Sequence, residues 1–201
     1  MRYIFIALLT IISLNSVKAK KKPKYSNAGV TAYSVYNNKV YILLGEDERA
    51  DGRCFWMNFV GGKKRGDKRD YRLTAFREFW HEETREVFDS LKVYRQIEQN
   101  NPIKVNKVTF IWLIKVDYKD PETINNSAPT SADYEMLNYC WIPADELLRL
   151  VDKAPNRYAV VLPKYCKGNS NKLHYYVYDN MRKGTYTREA IEKLIQEHNK
   201  L

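Results

Sequence analysis

The stretch GGKKRGDKRDYRLTAFREFWHEETR, residues 61–85, decides how this chain is read. It opens on a glycine turn, Gly61-Gly62, and continues into a basic loop with Lys63, Lys64, Arg65, Lys68, Arg69 and Arg72 around the acidic Asp67, with Asp70 as a second acid nearby. From Leu73 to about Leu91 the periodicity is helical, with Phe76, Phe79, Trp80 and Val87 recurring on one side. At about 100° per residue and with Glu78 at zero, Glu82 falls at about 40° and His81 at about 300°, so the three share a face opposite the apolar residues. Glu83, at about 140°, falls among the apolar side chains and is the poorer ligand. Arg85, at about 340°, stands beside Glu78 and Glu82, where its cation would neutralise them. Carboxylates one turn apart behind a glycine turn and a basic loop suit a hard divalent cation holding a phosphate-rich molecule.

The segments around this stretch indicate strands. Residues 28–36 and 39–44 read as two strands joined at Asn37-Asn38, a pair that tolerates the positive φ of a tight hairpin. Residues 45–52 are charged and predict a loop, and 54–60 predict one short apolar strand ending at the glycine pair. Downstream, 105–116 reads as a strand, and 120–133, rich in Pro, Asn and Ser, as a long exposed loop. A strand over 139–142 leads into a helix from Pro143 to about Val151 with acids in its first turn. Residues 160–162 and 173–178 are short apolar segments, and Thr187 is expected to cap a final helix reaching Asn199. Strands, one central helix, more strands and a late helix indicate an α/β (α+β) sandwich forming one domain over 28–201.

The 201 residues suffice for one medium domain with a real core, and 44% hydrophobic with 29% charged residues is a soluble composition. The net charge of +10 suits an anionic partner: nucleotide, nucleic acid or acidic membrane. No RNA-binding aromatic motif is present, so nucleic acid ranks last among functional readings. Residues 1–19 read as an export signal: Met1-Arg2-Tyr3 carries charge, Ile4 to Leu14 is largely apolar, and small residues precede a cut after Ala19. The apolar run is shorter than the ~20 residues that span a bilayer, so no transmembrane segment is expected after cleavage; an uncleaved anchor is the alternative. The mature chain, secreted or periplasmic, would begin with a flexible basic leader over 20–27. Loss of Arg2 and Lys18 leaves 32 basic and 24 acidic residues, a net of +8. Cys54, Cys140 and Cys166 lack the spacing of a zinc site; either two pair as a disulfide or all three are inert thiols.

The order of these features resembles the Nudix hydrolase family. Its box runs Gly, five residues, Glu, seven residues, Arg-Glu, a hydrophobe, any residue, Glu-Glu, any residue, Gly and a hydrophobe. Gly62, Asp67, Arg77-Glu78 and Glu82-Glu83 are similar to it, as are Trp56 ahead of the glycine pair and Trp141-Ile142-Pro143 ahead of Glu146-Leu147-Leu148. The likeness covers roughly residues 28 to 152. It implies a Nudix-like α/β/α sandwich with a mixed central sheet, and hydrolysis of a pyrophosphate linkage in a nucleoside diphosphate derivative with Mg2+ or Mn2+. By the same likeness Glu78, His81 and Glu82 are the metal ligands, Glu78, Glu82 and Glu135 the catalytic set, and Gly62, Lys63, Arg65 and Arg77 the substrate-binding residues. The box is irregular. Aligned on Arg77-Glu78, its first paired Glu is His81; aligned on Glu82-Glu83, one residue has been inserted. Gly62 to Arg77 is one residue too long, and Thr84 or Arg85 replaces the later glycine. These departures leave open a Nudix-fold module that binds a nucleotide or other anion without hydrolysing it. Trp56 and Tyr71 are candidates to stack on a base, Trp56 more readily as core, and His174 and His198 read as ordinary.

Overall fold

The expected hairpin forms as β1 (Asn27–Tyr36) and β2 (Lys39–Glu48), with Asn37 and Asn38 at φ of 48° and 58°. This is seen in a computed structural model that describes residues 24–128 and 136–198. The export signal 1–19, residues 20–23 of the leader and Glu135 lie outside the described residues. The end of the leader belongs to the domain: Tyr25 is buried with its hydroxyl 3.0 Å from Thr74 Oγ1, and Asn27 opens β1.

β1 and β2 pair at their closed end, from Tyr33 with Ile42 to Tyr36 with Lys39, and then part. Two short strands fill the gap. β3 (Cys54–Met57) runs antiparallel along Gly45–Glu48 of β2, and β4 (Phe59–Gly62) runs antiparallel along Asn27–Val30 of β1. The single strand expected over 54–60 is thus two. The chain changes partner at Asn58, which is buried and donates from Nδ2 to Thr31 Oγ1 at 3.0 Å. β1 also pairs in parallel with β6 (Thr109–Lys115), flanked by β5 (Ile103–Lys104), and β2 pairs antiparallel with β7 (Met136–Pro143). The result is a seven-stranded mixed sheet. Consecutive buried residues along the middle of β1 and β2 mean that both faces are covered.

β2 runs through the first half of the charged segment expected to be a loop because the first of its acids, Glu46, is satisfied inside. Glu46 accepts from Asn138 Nδ2 at 2.7 Å and from the Ser170 N–H at 2.6 Å. Gly168 leaves space for that carboxylate, which a Cβ there would meet.

The helix expected over 73–91 is broken. α1 (Tyr71–Phe76) passes into a π-helical segment, Arg77–Glu83, and α2 (Ser90–Gln99) starts afresh where Asp89 accepts from the Lys92 N–H. Arg85 and Glu86, both at positive φ, make the break. The expected loop over 120–133 contains α3 (Pro121–Asn125), which Asp120 caps with Pro121 in the first turn. α4 (Ala144–Lys153), α5 (Tyr175–Met181) and α6 (Tyr186–His198) follow. Thr187 lies inside α6, buried. The hydroxyl that accepts from the Arg188 N–H, at 3.4 Å, is that of Thr185. α1 packs on β1, and α4 and α6 on β2, around a core that includes Trp56, Phe59, Phe79 and Trp112. A disulfide joins Cys140 on β7 to Cys166, leaving Cys54 as a free thiol. No helix among the described residues is long and apolar enough to cross a membrane.

Candidate metal and phosphate cleft

In a π-helix each N–H reaches the carbonyl five residues back, so residue 82 sits over 77 and 83 over 78. The Thr84 N–H bonds to the Phe79 carbonyl at 3.0 Å in this pattern. Wound this way, Glu78, Glu82 and Glu83 are all buried and all line one cleft of about 430 Å3, facing Gly61, Gly62, Lys63 and Lys64. The α-helical wheel, which assigned Glu83 to the apolar side and His81 to the ligand face, is corrected here. His81 does not line the cleft; its Nδ1 lies 2.6 Å from Glu86 Oε1. Arg85 does not stand beside the acids either. With the chain turning at φ 52°, its guanidinium donates to the carbonyls of Asn125 and, at 2.7 Å, Ser127.

Arg77 organises the acids. Its Nε donates to Asp67 Oδ1 at 2.9 Å. Its Nη1 donates to Glu78 Oε1 at 2.8 Å and Glu82 Oε2 at 2.5 Å. Its Nη2 donates to the Gly62 carbonyl at 2.8 Å and Asp67 Oδ2 at 3.0 Å. A guanidinium has five N–H donors, and all are committed to the protein. Arg77, expected to bind substrate, therefore has none left for a phosphate and acts as the brace beneath the carboxylates. Asp67 also accepts from the Lys64 N–H and from Thr74 Oγ1, each at 2.7 Å. Burial pushes the Asp67 carboxyl up, but Arg77 and these donors outweigh it and hold it below the usual range. Asp70, the other acid considered for this position, caps α1 by accepting from the Arg72 N–H. Burial dominates at Glu78 and, against the opposing charge of Arg77, pushes its carboxyl up to about 7.

Gly61 is required for a steric reason: a Cβ there would collide with the Glu78 carboxylate. Lys64 Nζ lies 2.8 Å from Glu82 Oε1 and Lys63 lines the same cleft. Arg65 is not on the cleft wall. It lines an adjoining basic hollow of about 520 Å3 with Lys68 and Arg69, connected through Lys63 and Lys64. Trp56 is wholly buried, and Tyr71 stacks on Phe110 and Trp112, so neither is a platform for a base. Sequence reasoning ranked Glu83 as the poorer ligand and missed the Lys64–Glu82 pair, and Asp47 and Arg49, which the end of β2 brings to the cleft rim. The one-residue surplus in the box was the signal for Glu83; Asp47 and Arg49 left none.

Among the described residues, no three His, Cys, Asp or Glu side chains stand gathered as a ready metal site. The donor chemistry nevertheless fits a hard divalent ion, since Glu78, Glu82 and Glu83 offer carboxylate oxygens at one wall. Lys64 occupies Glu82 and would have to swing away; its side chain is 44% exposed, against 16% for Arg77, so it is the cation that can move.

No protein-family model matches the chain, and no curated protein is similar to it in sequence. Among solved structures it is similar to the Ap4A hydrolase of C. elegans in a binary complex, at 18% identity and a TM-score of 0.41, over 63% of this chain and 86% of that one. It is also similar to the NUDIX domain of Shewanella oneidensis NrtR complexed with ADP ribose, at 10% identity and a TM-score of 0.42, over 64% and 78%. A NUDIX hydrolase from Alicyclobacillus acidocaldarius matches at 10% identity and a TM-score of 0.39, over 65% and 84%. The resemblance of this chain to the Nudix hydrolases is carried by its own motif order from Gly62 to Glu83.

Proposed function

We propose that the cleft hydrolyses a pyrophosphate linkage in a nucleoside diphosphate derivative with Mg2+ or Mn2+. The observation that carries this reading is the π-helical segment, which brings Glu78, Glu82 and Glu83 to one wall opposite Gly61, Gly62 and the basic loop. Glu78, Glu82 and Glu83 would hold the ion, in place of the set that included His81. Once bound, such an ion neutralises phosphate charge and activates water for attack on phosphorus. Lys63 and the hollow with Arg65, Lys68 and Arg69 attract and orient the phosphates. Arg77 fixes the rotamers of Glu78 and Glu82 through their hydrogen bonds. Glu135, six residues before Trp141, where the family resemblance implies an acid, would be the base that takes a proton from the water.

A panel of nucleoside diphosphate derivatives with Mg2+ and Mn2+ tests the reading. Turnover should fall roughly a hundredfold or more in Glu78→Gln and in Glu82→Gln. No turnover of any member by the parent protein would sink it. A second reading, an anion-binding module without hydrolysis, is favoured by one observation: Arg77 and Lys64 already neutralise Glu78 and Glu82. Calorimetry with Mn2+ separates the two, because the enzyme needs a metal site that Glu82→Gln weakens.

Export belongs to the same proposal. The leader over 1–19 supports it, and the Cys140–Cys166 disulfide suits an oxidising compartment. Expression with the native leader should place a chain beginning at Lys20 outside the cytoplasm; recovery of intact Met1 chain inside it would refute export.

A further inference from the structure

Asp47 and Arg49 line the acid cleft and also a second, larger basin of about 920 Å3. Its walls include Phe55 on β3 and, from the segment after α4, Tyr158, His174 and Tyr175. That segment lies past residue 152, outside the part of the chain that carries the motif resemblance. It is held to the sheet by the Cys140–Cys166 disulfide and by the Ser170 N–H bond to Glu46.

The basin is aromatic and of mixed charge, with Arg49, Arg53 and Lys172 set against Asp47, Glu48 and Asp51. His174 and Tyr175 have ring centroids 4.3 Å apart, and Phe55 meets His174 edge-on at 5.7 Å. The Arg157 guanidinium lies 5.0 Å from the Tyr158 ring and 5.1 Å from the Tyr175 ring. Tyr158 and Tyr175 are 64% and 43% exposed, so their rings are not sealed into the core. At the junction of the two cavities Asp47 is 2% exposed. Arg49 Nε holds its Oδ2 at 3.0 Å, while its Oδ1 has no hydrogen-bond partner among the described residues. A buried carboxylate oxygen without a donor calls for one from outside the fold.

We propose that this basin holds the nucleoside end of the molecule whose phosphates lie in the acid cleft. The base lies against the Tyr158–His174–Tyr175 wall, and a base amino group or ribose hydroxyl donates to Asp47 Oδ1. This rests on the phosphate-directed reading of the first cleft and names what that reading lacks, the residues that choose the substrate. Flat π-faces favour a base over an aliphatic or sugar group. The volume falls within the range of small-molecule sites.

The test uses phosphate-free probes. The disulfide-bonded protein is titrated by NMR with adenosine, guanosine, cytidine and uridine, and with ribose 5-phosphate as a base-free comparison. At least one nucleoside should bind, with shifts at His174 and Tyr175, and ribose 5-phosphate should leave those rings unshifted. Tyr175→Ala should weaken nucleoside binding roughly fivefold to a hundredfold, Asp47→Asn should weaken it also, and Glu82→Gln should leave it unchanged. Failure of all four nucleosides to bind, or binding indifferent to both Tyr175→Ala and Asp47→Asn, overturns the proposal. Nucleoside binding without hydrolysis of any pyrophosphate would strike the reaction and leave the basin standing. Hydrolysis without nucleoside binding would do the reverse.

Discussion

Arg77 and Lys64 both neutralise carboxylates in the cleft, yet they differ in what their removal does. Arg77 is largely buried, and Arg77→Ala would leave Asp67, Glu78 and Glu82 without the charge that offsets their burial. Unfolding in urea should show a loss of about 3–5 kcal/mol. Arg77→Lys should recover only part of it, because an ammonium cannot span the same oxygens. Lys64 is half exposed and competes for Glu82 with any incoming cation. Lys64→Met should therefore raise Mn2+ affinity in calorimetry with little effect on stability. An unchanged or weaker affinity would mean that Lys64 does not guard the site.

At the scale of elements, the π-helical segment reconciles an irregular motif with a working geometry. One surplus residue between Glu78 and Glu82-Glu83 would carry Glu83 off the cleft in an α-helix; the wider turn absorbs it. His81→Ala should then leave Mn2+ binding unchanged, and a loss of roughly tenfold or more would restore His81 as a ligand and discredit the register seen here. The hairpin at Asn37-Asn38, β6 and α4 were legible in the sequence because their turn residues and periodicity are local, whereas Gly61-Gly62, read as a turn, runs on as extended β4 against Asn27 and Ala28. The partition of residues 54–60 between two strands was not, since it depends on how β1 and β2 splay around Asn58. Nor was the run of β2 through Glu46 and Asp47, since the partners that make Glu46 tolerable, Asn138 and Ser170, come from distant positions, with Arg49 beside Asp47. In the site, Gly62, Lys63, Glu78 and Glu82 followed from motif order. Glu83 did not, because a wheel drawn at a fixed angle contains no π turn.

Across the whole molecule, the carboxy-terminal part is joined to the sheet covalently and by charge. Reducing the Cys140–Cys166 bond, or substituting Cys166→Ser, should cost roughly 3 kcal/mol by loop-closure entropy. It should also loosen the wall that carries Lys172 and His174, seen as faster amide exchange there than in β1. Acid acts on the same wall. Burial, reinforced by Arg49, lowers His174 to about 4 from an ordinary value of 6.5. Between those values the unfolded chain binds a proton that the folded one refuses, so this contribution is complete above pH 6.5 and is lost as pH falls toward 4. It is worth at most roughly 3 kcal/mol. His174→Gln should flatten the stability profile over that window in urea titrations at stepped pH; a profile parallel to the parent's would show that His174 is not its source.

The parallel pairing of β1 with β6 governs how the chain reaches this state. The hairpin of β1 and β2 is local, and β4 joins it within the first third of the chain, but Asn27 must wait for Thr109 before its other edge is covered. Such non-local closure places folding toward the slow end, on the order of milliseconds to seconds. During that interval β1, rich in Val, Ala and Tyr, presents an open strand edge, the usual template for intermolecular pairing. The docking of Thr109–Lys115 is thus the step that separates folding from aggregation in this chain.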